Sequence, residues 1–416
     1  MNLLYTLTAY PPFWGGAQLL MHGLARHLQA AHAVQVVTQW DTPCSDWLLG
    51  TTLNAPLEAR EYLVDGVPVR RIAVPQSARA ALRPWVYAYW AAQGAAIERI
   101  SAVLTEQFTD LAGRADLIHN CRIGREPLTA ASLDLARRRD VPFVLSPVHH
   151  PRWGTWLHRQ YHKLYRAADA VVALTRGERD LLVDLGVDER KITLAGMGPD
   201  LAPTGDGAAF RAAHGLGDDP VVLFVGQKYA YKGVAALLQA AERVWARVPE
   251  TRFVFIGRPT RETAALFRDL DRRIVNLDSV DLQTKTDAYA ACNVFCLPST
   301  QESFGGVYTE AWSFGKPVIG ADIAAVGDVI DDAVNGFNCA PSAEPLAEHI
   351  VYLLRNPETA ARMGAAGQRK VAERYTWAAI AGRVEAAYRA VLTGRDVASS
   401  QTVTVAAARM KVEIPA

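Results

Sequence analysis

Short apolar runs alternate with longer amphipathic stretches along most of this chain. Residues 1–8 read as a strand, 17–30 as an amphipathic helix and 34–38 as the next strand. Residues 61–74 read as a hairpin turning at Asp65-Gly66, the residue pair that a two-residue turn favours. Further apolar runs stand at 116–119, 142–145 and 170–174. Brief runs separated by helices imply βαβ units and a mainly parallel sheet. A cleaner second series covers 221–226, 252–257, 274–277, 293–297 and 317–320. Between the two series, residues 196–217 are rich in Gly, Pro and Asp and read as a linker. A helical tract after Arg355 runs to about Thr393, and the residues beyond it are small and polar without periodicity.

The predicted fold class is therefore α/β, with two doubly wound Rossmann-like domains. Residues 1–200 form the first, 201–375 the second, 376–395 a helix able to cross back to the first, and 396–416 a loose tail. Ligands of such sheets bind at the carboxyl ends of the strands. Two such edges facing one another across a cleft would hold two substrates.

At 416 residues, two domains of about 200 residues each are expected. The formal net charge of +1 favours neither nucleic acid nor an acidic partner. The five cysteines (Cys44, Cys121, Cys292, Cys296 and Cys339) are scattered and odd in number, which argues against a secreted disulfide framework. Cys292 and Cys296 lack a matching Cys/His pair and read as core thiols. The first residues lack the charged start and apolar core of a signal peptide. The apolar window 85–97 is too short to span a bilayer. The expectation is a cytoplasmic protein.

The densest chemistry lies at Glu302 and Glu310, which flank Ser303-Phe304-Gly305-Gly306-Val307-Tyr308-Thr309. This is a strand-to-helix turn with one carboxylate in the turn and one in the helix. The glycine pair lets backbone approach a ligand, and the first N–H groups of a helix make an anion site. A carboxylate beside an anion site suits a ligand carrying hydroxyls as well, such as a phosphorylated sugar or a nucleotide with a free ribose.

Other segments carry weaker signals. Gly15 and Gly16 precede the first helix and suit either a phosphate cradle or a tight turn. No G-x-G-x-x-G stands there, so a dinucleotide site is unsupported. Gly226, Lys228 and Lys232 end the first strand of the second domain, where lysines could neutralise a pyrophosphate or simply be solvated. His149 and His150 lie in a Pro-bounded loop at a strand's carboxyl end, placed for ligand contact; no third ligand supports a metal there. Residues 152–166 hold four basic residues with Trp153, Trp156, Tyr161 and Tyr165, and residues 141–168 hold no acid. That tract suits an anionic membrane surface, although core aromatics with solvated charges are favoured. The cluster Trp85, Tyr87, Tyr89 and Trp90 lines an acceptor side or is core. Asp269-Leu270-Asp271 lies in an exposed helical stretch, 260–273, whose carboxylates would point apart, so it is discounted as a metal motif.

Taken in order, these motifs resemble the family-4 retaining glycosyltransferases of the GT-B fold (glycosyl transferases group 1). The resemblance rests on 221–232, 293–299, the Glu302–Glu310 motif, Gly315-Lys316-Pro317-Val318-Ile319, Val326-Gly327-Asp328-Val329-Ile330 and Asn335-Gly336-Phe337. The first domain matches through Gly15-Gly16 and the His149 loop. The resemblance implies that Glu302 contacts the donor sugar, beside Ser303 and the backbone of Phe304, Gly305 and Gly306. It implies Glu310 on the ribose, Lys232 on the pyrophosphate with Gly226 and Lys228 beside it, and Gly15 and Gly16 near the same phosphates. His149, with His150 as the alternative, would approach the transferred sugar. Many relatives carry Arg where this chain has Gln227; either Lys228 replaces that charge or the leaving group is stabilised differently.

The implied activity is metal-independent transfer of a hexose, with retention, from a UDP-, GDP- or dTDP-linked donor to a saccharide or lipid-linked acceptor. No cofactor and no nucleic acid are expected, and peripheral contact with the inner membrane face is. Cell-surface polysaccharide or glycolipid assembly is the setting the resemblance suggests. Two rivals are a sugar-nucleotide epimerase of similar fold and a non-catalytic nucleotide-sugar-binding scaffold.

Overall fold

The computed structural model describes residues 1–42, 48–122 and 124–397. Cys44 and most of the expected loose tail lie outside them. The chain divides into two compact units, one of residues 1–195 with the segment from Trp377, the other of residues 196–376.

The first unit holds β1 (Asn2–Ala9), β2 (Ala33–Trp40), β3 (Arg60–Val64), β4 (Val67–Arg71), β5 (Leu117–Cys121), β6 (Phe143–Ser146), β7 (Ala170–Ala173) and β8 (Ile192–Leu194). They form one sheet in the order β3-β4-β2-β1-β5-β6-β7-β8, parallel except for the β3–β4 hairpin. That hairpin turns at Asp65 (φ 47°) and Gly66 (φ 81°). β1 is buried at all but its first residue, as a central parallel strand covered on both faces must be. On one face the core gathers Leu4, Val37, Ile100, Leu104, Phe108, Ile118, Leu135, Phe143 and Val171.

The second unit holds β9 (Val221–Val225), β10 (Arg252–Ile256), β11 (Ile274–Leu277), β12 (Val294–Leu297), β13 (Val318–Ala321) and β14 (Gly336–Cys339). Their order is β11-β10-β9-β12-β13-β14, parallel throughout. In both sheets the chain builds outward from one strand and then jumps to that strand's other side. The topological switch points fall between β1 and β5 in one sheet and between β9 and β12 in the other. Strand ends diverge there, which opens a crevice.

Several expectations are corrected. Residues 196–217 are not a free linker. The Ala202 amide donates to Thr286 Oγ1 at 2.9 Å, Asp206 N donates to Asp287 at 2.7 Å, and Asp206 caps a helix, Gly207–Ala213, by accepting from Ala209 N. The tract after Arg355 is not continuous: Pro357–Lys370 passes into a π-turn at Val371–Tyr375, and Thr376 is extended before Trp377–Leu392 begins. The break coincides with the change of unit. Tyr375 packs edge-on against Phe304 within the second unit, at 5.1 Å between centroids. Trp377 packs against Gly23 in the first, so closely that a Cβ there would lie 2.3 Å from the indole.

The helix Trp377–Leu392 is tied into the first unit by polar as well as apolar contacts. Tyr388, buried, bonds the Tyr5 hydroxyl at 2.9 Å and His119 Nδ1 at 2.6 Å, and His119 Nε2 meets Ser146 Oγ at 2.9 Å. Glu385 meets His32 at 3.1 Å, and Arg383 donates to the Ala195 carbonyl at 2.6 Å. The stretch 260–273 is not a helix but a single 3-10 turn, Ala264–Phe267, and Asp271 pairs with Arg273 at 2.8 Å.

Candidate functional site

The second unit's switch point gathers the acidic and basic residues singled out in the sequence. β9 leads through Gly226 into the turn Ala230–Lys232, and β12 leads through Pro298 toward Glu302. Because β9 and β12 are neighbours, the two loops lie side by side. The Thr300 amide donates to the Tyr231 carbonyl at 2.8 Å. Gly233, at φ 76°, packs so tightly that a Cβ would stand 2.4 Å from the Pro298 carbonyl oxygen. Only glycine meets both demands at once.

This contact brings the Lys232 ammonium into an ion pair with Glu302 Oε1. Both side chains are mostly shielded, at 18% and 10% exposure. Gly305, at φ 81°, then caps the helix Gly306–Ser313, and a Cβ there would meet the Tyr308 ring at 2.5 Å. Ser303 and Phe304 point inward and are buried, which leaves the backbone of this turn as its outward chemistry.

Glu310 lies on the same helix and is buried. Its Oε1 accepts from Lys285 Nζ at 3.1 Å and from the Asp200 amide at 3.3 Å, while Oε2 is buried without a hydrogen-bond partner. Lys285 also reaches Asp200 Oδ2 at 3.1 Å. Burial works against the Lys285 charge, but Glu310 and Asp200 outweigh it and raise its pKa. The Glu310 carboxyl is thus held in place beside a lysine whose charge is favoured.

Lys228 does not fit the role expected of it. It is buried, with Nζ donating to Asn276 Oδ1 at 2.6 Å and to the Leu277 carbonyl at 2.8 Å, over the Phe267 ring at 4.8 Å. Burial pulls its pKa down to about 8. Its ammonium joins the ends of β9 and β11, whereas the Gln227 side chain is exposed. Lys228 therefore does not replace a charge at Gln227.

In the first unit, Gly15 caps the helix Gly16–Leu28 after β1. His149 stands in the loop after β6. It is 2% exposed, its amide donates to Glu178 Oε1 at 2.6 Å, Nδ1 lies 3.3 Å from the Tyr165 hydroxyl, and Nε2 has no hydrogen-bond partner. Burial, then the charge of Arg122, then His162 and His158 pull its pKa down to about 3. The imidazole is neutral at physiological pH. His150 packs edge-on against Trp153 at 4.7 Å. Of the aromatics in residues 152–166, Tyr161 and Tyr165 are core, whereas Trp156 is exposed.

Buried ionisable groups that escaped the sequence reading include Arg122, Glu126 and Glu178. Arg122 follows β5, Glu126 accepts from the Tyr89 hydroxyl, and Glu178 lies in the first turn of the helix Arg176–Asp184. Only Glu178 had a legible signal, the Thr175-x-x-Glu178 spacing of a helix cap. Lys285 and Asp200 left none. Among the described residues, no three His, Cys, Asp or Glu side chains gather as metal ligands.

Two family models match this chain, one over each unit. Residues 207–370 match the family "Glycosyl transferases group 1", and residues 15–198 match "Glycosyl transferase 4-like domain". The second unit thus carries a group 1 glycosyl transferase domain and the first a glycosyl transferase 4-like domain. Among relatives of this chain, the D-inositol 3-phosphate glycosyltransferase of Kribbella flavida is 33% identical over 247 residues, 55% of this chain and 58% of that one. The chain spans a little over half the length of the curated relatives it matches first. Two solved structures share the GT-B fold. Anabaena HepE in complex with UDP and glucose has a TM-score of 0.71 and 17% identity, covering 92% of this chain and 98% of that one. Sucrose-phosphate synthase from Thermosynechococcus elongatus has a TM-score of 0.71 and 18% identity, covering 95% and 100%.

The neutral state of His149 has a measurable consequence. Between about pH 6.5 and its depressed value of about 3, the unfolded chain takes up a proton at this position and the folded chain does not, so stability falls on acidification. His119, likewise depressed to about 3, adds to the same fall. His149→Gln should therefore flatten the decline in unfolding midpoint between pH 6.5 and 4 without abolishing it. A slope identical to the parent's would show that His149 titrates normally in the fold.

Proposed function

We propose that this protein transfers a hexose, with retention and without a metal, from a nucleotide diphosphate sugar to a saccharide or lipid-linked acceptor. The observation that carries the reading is the Lys232–Glu302 pair at the β9/β12 switch point, beside the N-terminus of the helix that bears Glu310. An ammonium and a carboxylate in hydrogen-bond reach of each other suit a ligand that joins an anionic group to a hydroxylated ring. Lys232 takes the diphosphate and Glu302 accepts from sugar hydroxyls. Glu310, held by Lys285, accepts from the ribose. The HepE structure with UDP and glucose, and the glycosyltransferase names of the relatives, support the same ligand class.

Breaking the sugar–phosphate bond builds negative charge on the departing nucleotide. Fixed cations and helix N-terminal dipoles stabilise that charge with no reorganisation at the moment of reaction. With Gln227 neutral and Lys228 engaged elsewhere, that task falls on Lys232 and the helix Gly306–Ser313. His149 meets the transferred sugar through Nε2, and an acceptor hydroxyl attacks from the face the diphosphate leaves.

A lipid-linked acceptor, and contact with a membrane in polysaccharide or glycolipid assembly, draw support from one surface of the first unit. Tyr87, Trp90, Trp156 and Leu157 are exposed there, at 75%, 52%, 70% and 49%. Arg125 lies over Trp90 at 4.7 Å and Arg159 over Trp156 at 3.6 Å. The Gln93 side chain donates to the Leu157 carbonyl at 3.2 Å, so the two segments share one face. Indole rings with cations beside them suit an anionic headgroup layer, where each Lys or Arg contributes about 1 kcal/mol.

The donor is first selected by thermal shift among UDP-, GDP- and dTDP-linked glucose. Lys232→Ala should then lower turnover about a hundredfold to a thousandfold while the fold persists by circular dichroism; near-normal turnover refutes the phosphate role. Conversion of donor to an epimer with no acceptor present would give the epimerase reading, and tight donor binding without turnover the scaffold reading. Chelation with EDTA should leave the rate unchanged, and strict dependence on a divalent ion contradicts the metal-free mechanism. Vesicles of phosphatidylglycerol should sediment the protein and phosphatidylcholine vesicles should not, with Trp156→Ser weakening the binding; equal partition to both, or to neither, removes the membrane contact.

A further inference from the structure

His149 sits at the end of a backbone that it would not adopt unaided. Val148, directly before it, has φ 46°. A β-branched residue in that left-handed region is a true outlier. Such strain persists only where surrounding structure over-determines it.

Two buried ionisable side chains do this. Arg122 Nε donates to the Pro147 carbonyl at 2.8 Å, and its terminal nitrogen donates to the Val148 carbonyl at 3.4 Å. Its guanidinium lies against the rings of Trp153, at 3.7 Å, and Tyr161, at 4.8 Å. From the other side, Glu178 accepts from the His149 amide at 2.6 Å and, through its second oxygen, from the Leu174 amide just past β7 at 2.7 Å. Its own amide donates to Thr175 Oγ1 at 3.1 Å, which seats it in the first helical turn. Burying an arginine and a glutamate is costly unless their hydrogen bonds are met. Here they are met largely by the carbonyls and amide of three consecutive loop residues. Apolar side chains of similar volume would fill the space but could not fix that loop. The outcome is an imidazole with Nδ1 near Tyr165 and Nε2 left unbonded.

We propose that Glu178 and Arg122 are positioning residues, which clamp the strained 147–149 loop from both sides so that His149 presents Nε2. The proposal rests on the reading of His149 given under Proposed function. Neither residue touches the reacting atoms; both act through His149.

The test is a double-mutant cycle, read as nucleoside diphosphate release from the donor chosen by the thermal-shift panel. Glu178→Gln keeps the shape but exchanges one acceptor for a donor. It should lower kcat about tenfold to a hundredfold, as small misplacements of a reacting group do, with donor KM within about twofold. In a His149→Ala background the same change should cost less than about twofold, since the residue it positions is gone. An equal loss in both backgrounds, a loss carried by KM, or unchanged kcat overturns the proposal. Near-normal turnover of His149→Ala alone would instead remove the His149 reading on which it rests. Should Glu178→Gln not fold, Arg122→Lys, which gives up the Nε–H to Pro147, should show the same kcat loss and the same dependence on His149. Amide hydrogen exchange of 147–150, measured without substrate, should rise in the variant while the helix Arg176–Asp184 stays protected; unchanged exchange overturns the clamp.

Discussion

A lysine ammonium and a glutamate carboxylate held in contact beside a helix N-terminus are what the chemistry proposed for the second unit depends on. Partly removing two such charges from water costs several kcal/mol each, and their attraction offsets this only when the geometry is fixed. Strand order fixes it. Lys232 and Glu302 are 70 residues apart, and they meet because β9 and β12 are neighbours at the point where the sheet reverses its direction of growth. The Thr300–Tyr231 hydrogen bond and the fit of Gly233 against Pro298 then set how close the two loops come. A side chain at Gly233 would part them and leave each charge to be solvated alone. Glu310 follows the same logic: its charge is tolerable in a buried position because Lys285 and the Asp200 amide were brought to it.

Elements whose identity rests on a local pattern were legible in the sequence. Every strand built from four or more consecutive apolar residues was readable, as was the hairpin at Asp65-Gly66. β8, with three residues, and β14, with Gly336 and Asn338 inside it, carry too little apolar signal; neighbouring strands make them strands. The same limit explains the broken tract near Tyr375. Residues 358–392 hold no proline to mark a stop, and the break there serves two different packing partners, Phe304 for Tyr375 and Gly23 for Trp377. Propensity is a weak prior when tertiary contacts differ on either side of a residue.

The site divides along similar lines. Glu302, Glu310 and Lys232 could be singled out because strand-to-helix turns announce themselves through glycine and proline. Lys228 could not be told apart from Lys232 by position, since both follow the same strand. What separates them is that the carbonyl of Leu277 and the side-chain oxygen of Asn276, on a strand not adjacent to β9, accept from Lys228. The buried Arg122 and Glu178 break the usual expectation that charges lie outside, and their partners are backbone groups with no sequence signature. Conflicts between local preference and the adopted conformation tend to collect at functional positions. Val148 is such a conflict, and it adjoins the histidine singled out for chemistry.

The electrostatic state of His149 also constrains how the proposed reaction can be shared out. A buried imidazole next to a guanidinium, with its pKa drawn down to about 3, offers a hydrogen bond but no positive charge at neutral pH. It can orient a hydroxyl or interact with a sugar ring, yet it cannot neutralise a departing diphosphate. Arg122 is no substitute, because it is buried, with two of its nitrogens donating to the loop carbonyls and its face against two aromatic rings. On the proposed reading, charge stabilisation therefore belongs to the second unit, to Lys232 and the helix end beside it, while the His149 loop contributes shape and orientation. The neutral Gln227 sharpens that division. With no cation at that position, the proposed reading concentrates the load on one lysine, whose partner in the structure, Glu302, is the carboxylate proposed to hold the sugar.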